Sequence, residues 1–283
     1  MSLPAYAIVV VGYESTSEWP GFFESLQGSE THPAAIIVVD NSPDLSLSAD
    51  QWPSLPLTVI HAPGNEGYGA AANRGVSHVP PEVSWVVVCN PDVRFFFNTL
   101  EALLSQRDVF PGTGVLGPRI LTPSGDTYPS ARAIPGVRIG IGHALLSKLW
   151  PTNPWTKQYL GAYQGREPRS VGWLSGAFLL LEREVFRAIS GFDEDFFMFF
   201  EDVDLGRRIK QAGYRNVYVP TAQGSHSGAH ATSSHEKKML LAHHHSAEIF
   251  LNKLYPQPLQ WPLRALLTLG LRLRAWLQTR GLS

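Results

Sequence analysis

Four short runs of apolar, mostly β-branched residues stand early in the chain, at 7–11, 36–39, 57–60 and 85–88. None of them alternates apolar with polar positions. Continuous runs of this length read as strands buried on both faces, the pattern of a parallel sheet covered by helices. Helical patterns at 19–26 and 68–78 supply the crossovers, so the expected class is a doubly wound α/β domain. From 111 to 169 Pro and Gly become frequent and periodicity weakens, with Pro151-Thr152-Asn153-Pro154-Trp155 turn-like. This stretch reads as a long connection that covers a site. Strand character returns at 171–181. A helix is expected at 202–212, stopped by Gly213, then a strand at 216–219 and a helical pattern from 233 to 254. Pro256, Pro258 and Pro262 interrupt the chain before a last helical segment at 263–280.

The 283 residues suit one α/β core with a C-terminal addition. The expected organisation is a domain at 1–254 with three parts: a nucleotide-binding half at 1–110, an acceptor and catalytic half at 111–232, and a closing helix at 233–254. An amphipathic helix at 255–283 follows. Net charge is −1, which argues against a nucleic-acid binder. Cys89 is the single cysteine, so no internal disulfide forms and a reducing cytosol is expected. The first apolar run is short and lacks a basic flank, so it reads as a strand and not a signal peptide. No stretch approaches the roughly 20 apolar residues of a spanning helix.

In open parallel sheets, ligands bind beyond the C-terminal ends of the strands. The second run ends at Asp40-Asn41-Ser42 and the fourth at Asn90-Pro91-Asp92. Asp40 suits a pyrimidine N3–H or a ribose hydroxyl, with an Asx-turn as the alternative. Asp92 suits Mg²⁺ or Mn²⁺ on a diphosphate, with a turn cap as the alternative. Between them, Gly67-Tyr68-Gly69-Ala70-Ala71-Ala72 matches G-x-G-x-x-A, a weak dinucleotide signal because it follows the third run and not the first. A helix N-terminus that admits a nucleotide fits the segment better.

The densest local signal is Phe199-Phe200-Glu201-Asp202-Val203-Asp204, acids beside aromatics at a helix start. On a helix, Asp202 and Asp204 lie about 200° apart and Glu201 and Asp202 about 100° apart, so these carboxylates cannot all serve one point. One of them is a candidate general base. The alternative is an acidic first turn that complements the helix dipole. His226 and His230 follow a strand and are candidate metal ligands. His243-His244-His245, at successive helical positions, cannot chelate together.

These motifs in this order resemble glycosyltransferase family 2, over about residues 7–254. The shared pieces are the strand-end Asp40, the segment from Asn65 to Asn73, Asn90-Pro91-Asp92, Trp173-Leu174-Ser175-Gly176, and Gly191-Phe192-Asp193-Glu194 followed by Glu201-Asp202-Val203-Asp204-Leu205. Within the family the chain is similar to the actinobacterial rhamnosyltransferases of the arabinogalactan linker, through Tyr128-Pro129-Ser130-Ala131-Arg132, 150–156, 171–176 and 196–205. The resemblance implies a GT-A fold, a mostly parallel Rossmann-like sheet flanked by helices. It implies an inverting, metal-dependent transfer of L-rhamnose from dTDP-L-rhamnose to N-acetylglucosaminyl-diphospho-polyprenol in cell-wall synthesis. Asp202 would be the catalytic base. Asp40, Asn65, Gly67, Gly69, Asn73 and Asp92 would bind the nucleotide sugar. Asp92 and His226 would hold Mn²⁺ or Mg²⁺, with the neutral Asn90 at the first position of the family's Asp-x-Asp motif. Trp173, Ser175, Gly176 and Glu201 would meet the acceptor. Thymine and uracil offer the same N3–H edge, so a UDP-sugar and another acceptor are the alternative within the family. A non-catalytic nucleotide-sugar-binding protein is a third reading, opposed by the intact Asp92, Asp202 and His226.

A polyprenyl acceptor implies work at the inner face of the cell membrane, as a cytoplasmic peripheral protein. Leu263, Leu266, Leu267, Leu269, Leu271, Leu273, Trp276 and Leu277, interleaved with Arg264, Arg272, Arg274 and Arg280, suit an interfacial helix on anionic lipid. The same segment would also serve as a helix packed on the core or on a second copy in a homodimer.

Overall fold

A computed structural model describes residues 3–27, 29–136, 139, 147, 149–228 and 236–279. The first half alternates as the apolar runs require. The elements are β1 (Tyr6–Gly12), α1 (Trp19–Leu26), β2 (Ala35–Asp40), β3 (Leu57–His61), α2 (Tyr68–Ser77), β4 (Trp85–Cys89), β5 (Val93–Phe95) and α3 (Thr99–Ser105). β3, β2, β1 and β4 pair in parallel. Because successive side chains on a strand point to opposite faces, β1 divides its residues between two cores. Ile8 and Val10 pack with Phe22, Phe23 and Leu100 on one face. Ala7 and Val9 pack with Ala71, Ala72 and Val76 of α2 on the other.

The second half continues the sheet. It comprises β6 (Thr113–Leu121), β7 (Ala131–Arg132), α4 (Pro154–Leu160), β8 (Arg169–Val171), β9 (Trp173–Leu174), β10 (Phe178–Glu182), α5 (Arg183–Ala188), α6 (Glu201–Gln211), β11 (Arg215–His226), α7 (Glu236–Leu254) and α8 (Trp261–Thr279). Sheet order is β3-β2-β1-β4-β10-β6-β11-β5, with β8 on β11, while β7 and β9 form a separate ribbon. β10 runs antiparallel to both neighbours, which makes the sheet mixed.

Two expectations change here. The stretch at 111–169 is not all connection, because β6 is a buried strand between β10 and β11. Its Gly114, Gly117 and Pro118 hid the pattern. Gly117 lies where a Cβ would meet Leu174 of β9 at 2.9 Å, and Pro118 sits beside the register shift between Val219 and Gln223 of β11, a setting in which a strand tolerates proline. β11 in turn does not stop at Val219 but reaches His226, and this extension builds part of the site.

α7 and α8 pack together at the C-terminus, with Arg272 paired to Glu248 at 2.9 Å and His244 bonded to Gln278 at 3.0 Å. The outer side of α8 leaves Leu266, Leu269, Leu273, Trp276 and Leu277 exposed. Arg280 lies outside the described residues. Among the described residues no helix is long and apolar enough to cross a membrane.

Candidate active site

Two clusters meet beyond the strand ends. The first follows β4. Asn90 and Asp92 leave the end of β4, and β5 turns back to pair antiparallel with the last residues of β11, Val93 opposite His226. That pairing brings His226 Nε2 to 3.1 Å from Asp92 Oδ1 and 3.1 Å from the Asn90 amide. The other oxygen of Asp92 accepts from Ser227 Oγ at 3.0 Å and from the Gly228 N–H at 2.9 Å. Burial alone would raise the Asp92 pKa, but the His226 contact and these donors outweigh it and hold the carboxyl below its ordinary range.

This donor set fits a small divalent cation. Cis ligands at about 2.1 Å from an octahedral ion lie about 3.0 Å from each other, which matches the two spacings around His226 Nε2. Turning the Asn90 amide over would present its oxygen to the same point. No group of three or more His, Cys, Asp or Glu converges among the described residues; beside Asp92 and His226 stands the neutral Asn90. His230 lies outside the described residues.

The second cluster is the start of α6. Phe199 and Phe200 both adopt left-handed backbone, φ 68° and 65°, a conformation that costs roughly 1–2 kcal/mol per non-glycine residue. The turn is held from α7. Ser246 Oγ donates to the Met198 carbonyl at 2.7 Å, the His243 ring lies against both phenylalanines, and Phe250 packs on Phe200. The turn swings Asp202 under the β9–β10 loop, where its Oδ2 accepts from the Gly176 N–H at 2.9 Å and its Oδ1 from its neighbour Val203. Tyr68 closes the same loop by donating to the Gly176 carbonyl at 2.6 Å. Ser175 is fixed through its N–H to the Ser130 carbonyl at 2.8 Å.

The three acids of the motif separate as helical geometry requires. Asp204 is fully buried and paired with Arg207 at 2.7 Å and Arg208 at 2.6 Å, a structural lock. Glu201 is buried, and its Oε2 has no hydrogen-bond partner. Burial and the adjacent Asp202 charge push its pKa up to about 8. Burial also raises Asp202, opposed by the Gly176 N–H and by the Arg132 charge. Glu201 therefore holds its proton at neutral pH, and a negative charge on Asp202 adds to burial in keeping it there.

On the nucleotide side, several residues expected to face the ligand are engaged by the protein itself. Asp40 is buried, with Oδ1 taken by the Ser42 N–H and Oδ2 by the N–H and hydroxyl of Ser46. Burial would raise its pKa, and these donors bring it below the ordinary value. These are the contacts of the turn-forming alternative. Asn73 clips the loop before α6, accepting from the Phe192 N–H at 2.8 Å and donating to the Phe192 carbonyl at 2.9 Å. Asn65 Oδ1 accepts from the Gly67 N–H at 3.1 Å. Gly67 has φ 86°, and a Cβ there would stand 2.4 Å from the Phe197 carbonyl oxygen, so only glycine lets α2 dock on the loop that carries the acids. Gly69 sits where a Cβ would meet Phe192 at 3.0 Å.

With both clusters described, sequence comparison is decisive. The family model "Glycosyl transferase family 2" matches residues 8–190, well over half of the chain, and "Glycosyltransferase like family 2" matches 150–243. The chain belongs to glycosyltransferase family 2. This glycosyltransferase is 39% identical over 290 aligned positions, 97% of the chain and 92% of the relative, to the N-acetylglucosaminyl-diphospho-decaprenol L-rhamnosyltransferase of Mycobacterium tuberculosis. Its fold is similar to that of mannosyltransferase PcManGT from Pyrobaculum calidifontis, solved with GDP-Man and Mn²⁺, with TM-score 0.59, 16% identity, and coverage of 100% of this chain and 77% of that one. It is also similar to GalNAc-T7, solved with UDP, GalNAc and Mn²⁺, with TM-score 0.59, 17% identity, and coverage of 80% of this chain but only 44% of that protein.

The glycosyltransferase's expected acceptor platform is covered. Trp173 is 5% exposed, its indole N–H bonds to the Ala133 carbonyl at 3.0 Å, and the Arg132 guanidinium lies 5.1 Å from its ring. Tyr68 and Arg132 were not assigned a role from the sequence. Tyr68 sits inside the glycine-rich segment and reads as spacing. Arg132 lies on a two-residue strand, too short for any periodicity to orient it.

Proposed function

We propose that this glycosyltransferase moves L-rhamnose from dTDP-L-rhamnose to N-acetylglucosaminyl-diphospho-polyprenol, inverting the anomeric centre. The observation that carries the reading is 39% identity across nearly the whole of both chains to the Mycobacterium enzyme. A fit of that extent reaches beyond the general family motifs to nearly the whole chain.

Asp202 is the general base. It takes the proton of the acceptor hydroxyl as that oxygen attacks C1 of the sugar, and the C1–O bond to the nucleoside diphosphate breaks with its electron pair leaving on the diphosphate. Glu201, protonated beside it, keeps a second negative charge away from the incoming oxygen, and Ser175 and Gly176 line the acceptor side. Asp92 and His226, with the Asn90 amide, would hold Mn²⁺ or Mg²⁺, whose charge offsets that of the leaving diphosphate when the ion is bound. Asn65, Gly67 and Gly69 shape the nucleotide pocket, and Asp40 and Asn73 support it by fixing the loops around it. In this reading 1–110 binds the nucleotide and 111–232 the acceptor, with 233–254 bracing the catalytic turn.

The C-terminal helix docks the enzyme on anionic lipid at the inner face of the membrane. The exposed Leu266, Leu269, Leu273 and Trp276 recur at helical spacing, and Arg272 and Arg274 accompany them. The test of the reaction is transfer from dTDP-rhamnose to a short-chain N-acetylglucosaminyl-diphospho-lipid, with and without Mn²⁺ or Mg²⁺, and the product's anomeric configuration read by NMR. Transfer only from UDP-sugars, or retention of configuration, would overturn it.

A further inference from the structure

Among the described residues Arg132 is a cation without a carboxylate partner. Its guanidinium lies 5.1 Å from the ring centre of Trp173, its cross-strand partner, and 5.7 Å from those of Tyr128 and Tyr159. Nε donates to the Pro129 carbonyl at 2.6 Å, and one terminal nitrogen reaches the Tyr128 hydroxyl at 3.4 Å. Among the described residues no carboxylate lies within ion-pair distance of it. The other arginines close to this core differ in that respect, since Arg207 and Arg208 are both paired with Asp204.

The cage spans the two clusters of the site. Tyr128 packs against His226, ring centres 6.5 Å apart. Trp173 leads through Leu174 and Ser175 to Gly176, whose N–H holds Asp202. Withdrawing a cation from water without an anion is unfavourable, and three aromatic rings with the Tyr128 and Tyr159 hydroxyls offset only part of that cost. Such a group is poised for an anion supplied from outside, and a planar guanidinium matches phosphate oxygens in pairs.

We propose that Arg132 binds a diphosphate between the metal-side cluster and Asp202, as a phosphate-recognition residue of the site. The inference rests on the proposed reaction, in which donor and acceptor both carry that group. Its charge also favours the ionised form of Asp202, so one side chain serves binding and the charge state of the base.

The experiment uses the full chain and its Arg132→Gln and Arg132→Lys variants, with thermal unfolding measured alongside. Calorimetry compares dTDP with thymidine. Steady-state kinetics compares a short-chain N-acetylglucosaminyl-diphospho-lipid with an uncharged alkyl N-acetylglucosaminide. The Arg132→Gln variant is expected to lose about 10- to 100-fold for a diphosphate ligand, the effect of one charged hydrogen-bonding partner, and nothing for its uncharged counterpart. Arg132→Lys recovers part of the loss, because charge returns without the planar fork. A loss confined to dTDP assigns the donor's diphosphate, and a raised KM confined to the diphospho-lipid assigns the acceptor's. Equal losses for charged and uncharged ligands, or no loss for either, would overturn the proposal. Wild-type protein that binds dTDP but transfers no rhamnose refutes the reaction and leaves the Arg132 comparison standing. Wild-type protein that binds neither diphosphate refutes both.

Discussion

Glu201→Gln isolates the charge division at the site. Glu201 is 8% exposed with one carboxylate oxygen unpartnered, and its pKa is pushed up to about 8 from 4.5 by burial and by Asp202. Between those values the folded protein holds a proton that the unfolded chain releases. The group's stabilising contribution is therefore fully present below about pH 4.5 and is lost as pH rises through about 8. At about 1.4 kcal/mol per pKa unit, the ceiling on that loss is about 5 kcal/mol. Glutamine mimics the protonated acid and does not titrate. Urea unfolding of variant and wild type at pH 5, 7 and 9 should give a stability difference that moves in the variant's favour with rising pH, by several kcal/mol at most. His243, whose pKa burial lowers to about 4, gives the opposite slope in both proteins and cancels in the subtraction. At pH 7 the variant should keep transfer activity within about threefold, because neutral Glu201 is the working form. A stability difference that stays flat from pH 5 to 9, or a variant as inactive as one lacking the base, would refute the division of charge.

Three further outcomes follow from the geometry. Asp202→Asn should lower kcat by about 10²–10⁴-fold while dTDP binding by calorimetry is unchanged; transfer at the wild-type rate would remove Asp202 as the base. Gly67→Ala places a Cβ 2.4 Å from the Phe197 carbonyl at φ 86°, so chemical denaturation should show a loss of about 2 kcal/mol or more, with KM for the donor raised. His226→Ala removes one side of the donor set beside Asp92 and should raise the Mn²⁺ concentration needed for half-maximal rate by about tenfold or more. An unchanged Mn²⁺ titration would take the metal away from that cluster.

The sequence by itself determined the elements whose burial is written into local pattern. The strands β1 to β4 and the helices α1, α2 and α6 fall within a residue or two of their apolar runs, because continuous burial or helical amphipathicity requires those runs. It also determined that Glu201, Asp202 and Asp204 could not act as one group, since helical rotation separates them whatever packs around them. The tertiary structure decided which acid did what. Asp204 went to Arg207 and Arg208, Glu201 into a buried position with one oxygen unpartnered, and Asp202 to the Gly176 N–H. It decided that Asp40 and Asn73, which read as ligand contacts, spend their polar atoms on Ser42, Ser46 and Phe192. It alone brought His226 to Asn90, 136 positions earlier in the chain, and closed three rings around Arg132. Local pattern records whether a side chain is covered. It carries no record of what covers it, because pairing such as β5 with β11 is chosen by the whole sheet and by the loop closures that let distant strands meet.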